Sequence, residues 1–288
     1  MRWGGRREST NIEDRRSIGP GGTGVAVGGG GIVLILLVSY LTGINPLVLL
    51  NLVETGQEVT MTRSNESSHQ STGPSDELGK FASVVLADTE ETWHAVLGKM
   101  ARNYEEPRLV LFSGTVRSAC GFGSAAVGPF YCPMDSKVYL DLSFFKKLDQ
   151  QLGAPGDFAQ AYVIAHEVGH HVQNLLGIAE RVNSQQRQAS SAQANALSVR
   201  LELQADCFAG VWGFHARRDR SLIEPGDFEE GLRAASAIGD DQLQQMSEGV
   251  VQPEKWTHGS SAQRVSWLRR GMETGDPASC DTFAGSRL

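Results

Sequence analysis

Apolar residues recur along much of the chain with two spacings, one typical of helices and one typical of strands. A spacing of three or four residues indicates an amphipathic helix, whereas short apolar or β-branched runs bounded by Pro, Gly and Asp indicate strands. The pattern predicts helices at 75–102, 143–152, 158–176, 180–219, 225–237 and 261–271. It predicts strands at 107–116 and 137–142. This order of elements predicts an α+β fold that is mostly helical.

Two of the three histidines in the predicted helix at 158–176 lie beside its apolar stripe. His166 and His170 are four residues apart, so on a helix they share one side and lie about 6 Å apart along the axis. Two imidazoles at this spacing can bind one metal ion, and Glu167 can take a proton from a water molecule on that metal. The segment therefore has the H-E-x-x-H pattern of zinc hydrolases. Two ordinary histidines on a partly exposed helix face are the alternative.

A catalytic zinc ion binds three protein ligands and keeps one position for water, so a third ligand is required. The extended pattern with a third histidine fails, because Leu176 stands at that position. The apolar segment 201–212 contains Glu202 and Asp206 at helical spacing, and carboxylates are rarely buried without a partner. We expect Glu202 to bind zinc and Asp206 to accept the free ring N–H of a ligand histidine. A solvated acidic face is the alternative.

Three other histidines have possible roles near such a site. His171 lies about 100° around the helix from His170, so we expect it beside the metal ligands or on the surface. His215 and His258 are rival third ligands. His258 also lies in a turn-like segment before the helix at 261–271, from where it could donate a hydrogen bond to the oxyanion formed when water attacks a carbonyl. A purely structural role for this loop histidine is the alternative.

In addition to the H-E-x-x-H pattern, several segments of the chain resemble those of a known family. The matching segments are MRWGGRREST with NIEDRR, CGFGSAAVGPFYCPMDSKVYLDLSFF, HEVGHHVQ, LELQADCFAGVW, THGSSAQRV and GDPASCDTF. They are similar to the bacterial neutral zinc metallopeptidases of the YpfJ type, which are membrane-anchored HExxH zincins. The resemblance implies a single zinc ion bound by His166, His170 and Glu202, with Glu167 as the catalytic base, and it strengthens the case for His258 as a catalytic residue. It implies a fold and a metal more firmly than a substrate.

The order of predicted elements also resembles the zincin core, in which a small β-sheet lies over the active-site helix. In that arrangement the edge strand of the sheet pairs with extended substrate. The segment 128–142 immediately precedes the zinc-binding helices, so we expect it to form the edge. The predicted fold is therefore a zincin-like metallopeptidase domain, preceded by one transmembrane helix.

The transmembrane helix is predicted from a stretch without charge between Arg16 and Glu54. Residues 31–50 would span about 30 Å as a helix, which matches the core of a bilayer. Arginines concentrate before this stretch, so the positive-inside rule predicts a cytoplasmic N-terminus and an extracytoplasmic catalytic domain. A cleaved signal peptide is the alternative. The predicted parts of the chain are a cytoplasmic segment at 1–30, a membrane anchor at 31–52, a flexible linker at 53–76 and a zinc metallopeptidase-like domain at 77–288.

Composition is consistent with one globular domain, since 40% of the 288 residues are hydrophobic and 20% are charged. The net charge of −7 and the lack of a basic patch argue against nucleic acid as a partner. Four cysteines allow three pairings. We favour Cys120–Cys132, which closes a short loop, and Cys207–Cys280, which would tie the C-terminal tail to the helix of Glu202. A four-cysteine zinc site is disfavoured because no CxxC pair is present.

The chemistry predicted from these residues is hydrolysis of peptide bonds in a peptide or protein substrate. Zinc-activated water would attack the carbonyl, and Glu167 would act as the general base. One alternative is a non-enzymatic binding or scaffold protein of the cell envelope that zinc stabilises. Another is hydrolysis of a different amide, such as a cross-bridge of the cell wall.

Overall fold

The computed structural model describes residues 1–16, 73–125 and 128–284. The helices are α1 (Glu77–Lys99), α2 (Ser143–Gln150), α3 (Asp157–Leu175), α4 (Ile178–Gln186), α5 (Ser191–Arg218), α6 (Asp227–Ala237), α7 (Asp240–Ser247) and α8 (Ser261–Thr274). The strands are β1 (Ile12–Asp14), β2 (Arg108–Phe112), β3 (Thr115–Ser118), β4 (Gly121–Ser124), β5 (Phe130–Cys132) and β6 (Lys137–Asp141). The domain is thus mostly helical with a small sheet, as the residue pattern predicts.

The main sheet has four strands in the order β1-β2-β6-β5. β1, β2 and β6 run parallel to one another, whereas β5 is antiparallel to β6 and forms an edge. The central strand β2 is buried from Leu109 to Phe112, which explains its continuous run of apolar residues. Only β5 in the segment 128–142 lies at the edge of the sheet, because β6 is enclosed between β2 and β5. β3 and β4 form a separate hairpin.

Two predicted elements are divided by local turn and capping chemistry. The predicted helix 180–219 is interrupted, because Ser190 and Gln193 form a reciprocal capping box that begins α5. The predicted strand 107–116 breaks at Gly114, whose φ of 78° is easily adopted only by glycine. The residues after this turn belong to the β3–β4 hairpin. The short elements β1, β4 and α7 have no counterpart in the prediction, whereas β5 lies within the segment 128–142 that was expected at the edge of the sheet.

Helices α5 and α8 approach each other so closely that their backbones touch. A Cβ atom on Gly271 would lie 2.0 Å from the carbonyl oxygen of Cys207, and one on Gly210 would lie 2.2 Å from that of Leu268. Only glycine can occupy these positions without moving a helix. The close contact brings the first turns of α8 against the part of α5 that carries Glu202 and Asp206.

Residues 1–16 belong to the same compact unit as the described residues after 73. β1 is hydrogen-bonded to β2, with Ile12 opposite Leu109, and the ring of Trp3 packs edge-on against Phe81 at 5.4 Å. The placement of the N-terminus in the cytoplasm and of the catalytic domain outside it is therefore wrong. Two strands that share hydrogen bonds cannot lie on opposite sides of a membrane.

None of the helices at 73–125 and 128–284 is long and apolar enough to cross a membrane. The predicted anchor at 31–52 itself lies outside the described residues, as does most of the linker predicted at 53–76. We correct the fold class accordingly: the transmembrane helix is removed from it. The localisation as a single-pass membrane protein, which depended on that helix and on the separated N-terminus, is withdrawn as well.

Both predicted disulfides are confirmed, and the four cysteines are all paired. Cys120–Cys132 joins the β3–β4 hairpin to β5. Cys207–Cys280 joins the middle of α5 to a short 3₁₀ turn at Pro277–Cys280, which follows α8. The second disulfide therefore holds the C-terminal segment against the helix that carries Glu202.

Candidate metal centre

Two histidines of α3 and one glutamate of α5 converge on one point. His166 Nε2 lies 3.2 Å from Glu202 Oε2, and His170 Nε2 lies 3.4 Å from Glu202 Oε1. One ligand atom from each of the three residues can be chosen so that all lie within 4.8 Å of one another. A tetrahedral zinc ion with bonds of about 2.0–2.1 Å holds its ligand atoms about 3.3 Å apart. The donor set and its spacing therefore fit a zinc ion.

The local sequence explains why α3 and α5 can meet at this point. Gly169 lies between the two histidines, and a Cβ atom there would be only 2.9 Å from the carbonyl oxygen of Ala205. Glycine lets the backbones of the two helices come close together. Ala205 is three residues after Glu202, so this close contact between the helices is directly beside the cluster.

Asp206 lies beneath the cluster and is completely buried. Its Oδ1 atom lies 2.8 Å from Nδ1 of His166 and accepts a hydrogen bond of 2.6 Å from the hydroxyl of Tyr162. Arg264 of α8 donates to both carboxylate oxygens at 2.9 Å. Burial alone would raise the pKa of Asp206, but Arg264 and His166 lower it to about 2. Asp206 is therefore a carboxylate and holds Nδ1 of His166 as a hydrogen-bond donor.

Arg264 is a residue that the sequence prediction missed. It lies within the predicted helix 261–271, but the spacing of its neighbours does not show that it reaches a carboxylate on another helix. The available indication was its position in THGSSAQRV, one of the segments shared with the family. With 3% of its side chain exposed, Arg264 is buried as deeply as the apolar residues around it.

The electrostatics of the cluster favour a bound cation. Burial would lower the pKa of His166, but Asp206 and Glu202 raise it to about 10. Burial would likewise raise the pKa of Glu202, but His170 and His166 hold it well below its usual value. Buried carboxylates beside imidazoles thus remain charged and stabilise positive charge between them.

Glu167 is buried and lines the same cleft as the cluster. Its burial raises the pKa of the carboxyl group, although His166 and His170 act in the opposite direction. The cleft has a volume of about 560 Å³ and is bordered on one side by β5 and on another by apolar side chains of α2 and α3. It is open to solvent, so a ligand can reach Glu167 and the three converging residues together.

His258 also lines the cleft but is not part of the cluster of three. Asp240 holds its loop by accepting backbone N–H groups from Thr257, His258 and Gly259 at 2.7–3.0 Å. His258 Nδ1 lies 3.1 Å from the other oxygen of Asp240. His215, the other rival ligand, instead contacts Asp219 and the carbonyl oxygen of Gly275. Glu202 is thus the third residue that the fold brings to the two histidines.

His171 has a different place from the one expected. It is buried, and neither of its ring nitrogens contacts a residue of the cluster. Nδ1 lies 3.0 Å from the hydroxyl of Tyr131, and Nε2 lies 2.6 Å from the carbonyl oxygen of Glu105. His171 therefore connects α3 to the edge strand β5, and its burial lowers its pKa.

The cluster of His166, His170 and Glu202 could hold a metal ion, which makes the chain a candidate metal-binding protein. Comparison with known proteins gives its family. The chain belongs to the family described as putative neutral zinc metallopeptidases, whose model matches residues 1–283. It is 53% identical over 293 residues to the uncharacterized protein YpfJ of Escherichia coli, covering 99% of this chain and 100% of that protein. It is 43% identical over 222 residues to uncharacterized proteins of Mycobacterium bovis and Mycobacterium tuberculosis, covering 74% of each chain. No solved structure matches it.

Proposed function

We propose that the protein is a zinc metallopeptidase that hydrolyses peptide bonds. The proposal is carried by one observation: His166, His170 and Glu202 converge beside Glu167 in a single open cleft. A structural zinc site is usually closed by four protein ligands, whereas a catalytic site has three and one open position. Within the described residues the cluster offers three ligands, which favours the catalytic type over a purely structural zinc.

In this proposal His166, His170 and Glu202 would hold zinc, which when bound would supply activation of a water molecule and polarisation of the substrate carbonyl group. Glu167 accepts a proton from the attacking water and returns it to the leaving amine. Glu167 lines the cleft beside the three converging residues, so its carboxylate is placed to reach a water molecule held there. His258 donates a hydrogen bond to the developing oxyanion.

The walls of the cleft suggest how a peptide would bind. β5 is an edge strand, so its outer backbone groups can pair with an extended chain. Apolar side chains border the cleft, among them Phe144, Leu152 and Val163. We therefore propose an extended peptide or protein segment as the substrate, with an apolar side chain near the bond that is cleaved.

The test combines metal analysis with digestion of a peptide library by the full chain. We expect wild type to hold one zinc ion and to cleave peptides. Glu167→Gln should keep zinc but lose turnover by at least about 10²-fold, because an amide cannot accept the proton. His166→Ala and Glu202→Gln should lose most of the zinc and the activity together. Glu248→Gln, at an exposed glutamate on the C-terminal end of α7, is the matched control.

Two results would contradict the proposal. The first is a zinc-loaded wild type that cleaves no peptide. The second is cleavage by Glu167→Gln at the rate of wild type. If Glu202→Gln kept its zinc while His215→Ala or His258→Ala lost it, the third ligand would be wrongly assigned.

A further inference from the structure

His170 is held by an uncharged partner, unlike His166. Gln173 lies three residues further along α3, and its Oε1 atom is 2.9 Å from Nδ1 of His170. The amide nitrogen of Gln173 donates to the carbonyl oxygen of Leu201 at 2.7 Å and to Oε1 of Gln204 at 3.1 Å. Turning this amide around would place its oxygen against two other oxygens. The oxygen of Gln173 must therefore face His170, whose Nδ1 atom must carry the proton.

The same chain of hydrogen bonds continues to the C-terminal segment. The amide nitrogen of Gln204 donates to the carbonyl oxygen of Cys280 at 3.0 Å. Gln173 is 1% exposed, Gln204 is 4% exposed and Cys280 is completely buried. Water therefore cannot substitute for these partners, and each unmade bond would leave a buried polar group unsatisfied.

The end of this chain is fixed in place by covalent and polar contacts. Cys280 is bonded to Cys207, which follows Gln204 by three residues on α5. Thr282 donates its hydroxyl to the carbonyl oxygen of Arg200 at 2.7 Å. The carbonyl group of Cys280, which accepts the hydrogen bond from Gln204, is thus held against α5 by the disulfide on one side and by Thr282 on the other.

We propose that Gln173 and Gln204 are positioning residues that hold His170 for zinc, and that the Cys207–Cys280 disulfide anchors them. A proton on Nδ1 leaves the lone pair of His170 on Nε2, the atom that lies 3.4 Å from Glu202. The two histidine ligands are then oriented by different partners. Asp206, which is paired with Arg264, orients His166, whereas a chain of neutral amides orients His170. The inference rests on the proposed zinc site and does not depend on peptidase activity.

The test measures the zinc affinity of the folded full chain by competition with a coloured chelator. Gln173→Met should weaken zinc binding by about 10–100-fold, the usual effect of removing a partner of a ligand histidine. Gln204→Met should weaken it less, because Gln173 keeps Leu201 as an acceptor. Gln244→Met is the control, since Gln244 accepts hydrogen bonds from Gln252 and Trp256 instead.

The two disulfides provide a second matched comparison. Removing Cys207 and Cys280 together by alanine substitution should weaken zinc binding. Removing Cys120 and Cys132 in the same way should leave it unchanged, because that disulfide joins the hairpin to β5. If the first double variant does not fold, Gln204→Met still tests the same connection.

A purely structural role is distinguished by two further measurements. Zinc affinity is determined where the zinc-free variant is fully folded, so a loss of stability alone does not change it. In NMR spectra of zinc-loaded protein, the slowly exchanging Nδ1–H resonance of His170 should be present in wild type and absent in Gln173→Met. Unchanged zinc affinity and a retained resonance in Gln173→Met would overturn the inference. A chain that binds zinc but cleaves no peptide would refute the proposed function and leave this inference intact.

Discussion

Asp206→Asn tests the buried charge pair beneath the candidate metal centre. Asp206 is 0% exposed and Arg264 is 3% exposed, and two N–H groups of Arg264 reach the two carboxylate oxygens at 2.9 Å. Asparagine supplies one oxygen and turns an N–H group toward these donors. Arg264 then stays buried without a counter-charge, and breaking such a pair costs about 3–5 kcal/mol. We expect the free energy of unfolding to fall by this amount, and zinc affinity to fall about 10–100-fold because His166 loses its carboxylate.

Urea denaturation of zinc-free protein with its disulfides intact gives the free energy of unfolding. Arg264→Met and the double variant complete a mutant cycle. The double variant should lose less stability than the sum of the two single variants, because no unpaired charge remains. Asp219→Asn is the control: Asp219 and its partner Arg218 are exposed, and the amide oxygen of asparagine can still accept a hydrogen bond from His215. The loss should therefore be below about 1 kcal/mol. A loss below about 1 kcal/mol for Asp206→Asn, or simple additivity, would refute the reasoning.

Four further predictions concern the stability of the fold. Ile12→Ala should lower the free energy of unfolding by about 2–5 kcal/mol, because Ile12 of β1 is buried in the main core; a negligible loss would show that residues 1–16 fold separately. Gly271→Ala should lower it by at least about 1–3 kcal/mol, since the added methyl meets the backbone of α5. Gly98→Ala, in open space on α1, should instead raise it by about 0.5–1 kcal/mol. Burial would raise the pKa of Asp240, but hydrogen bonds from His258 and the backbone hold it below 3.8. The stability that Asp240 contributes is thus present above pH 3.8 and lost below it. The free energy of unfolding of Asp240→Asn, measured by urea denaturation, should therefore depend less on pH in the acid range than that of wild type.

The parts of the candidate site that follow from the sequence are those in which local geometry decides the outcome. Four-residue spacing on a helix puts His166 and His170 on one side whatever surrounds them. Glu202 and Asp206 stood out because carboxylates in an apolar run need partners, and the partners are the two histidines and Arg264. The disulfide pairing followed from the preference for short loops and from the need to fix a tail. Helix boundaries were close for the same reason, since caps and glycines act within a few residues.

Other features depend on which elements meet, and no local pattern contains that information. β1 is three residues long and becomes a strand only because β2 offers it an open edge. His171 was expected beside the metal ligands or on the surface, yet it is buried and contacts Tyr131 and the carbonyl of Glu105. The charge-free stretch suggested separate compartments for the two ends of the chain, whereas the sheet joins residues 12–14 to 109–111.

The sequence by itself determined the residue types and spacing of the H-E-x-x-H pattern, the mostly helical fold and the two disulfides. Only the tertiary structure decided that Arg264 pairs with Asp206, that Gln173 and Gln204 connect His170 to Cys280, and that β5 borders the cleft. The physical reason is that periodicity records the direction of a side chain relative to its own helix or strand. What that side chain meets depends on how the elements pack, and here the packing depends on glycines that allow the backbones of α3, α5 and α8 to touch.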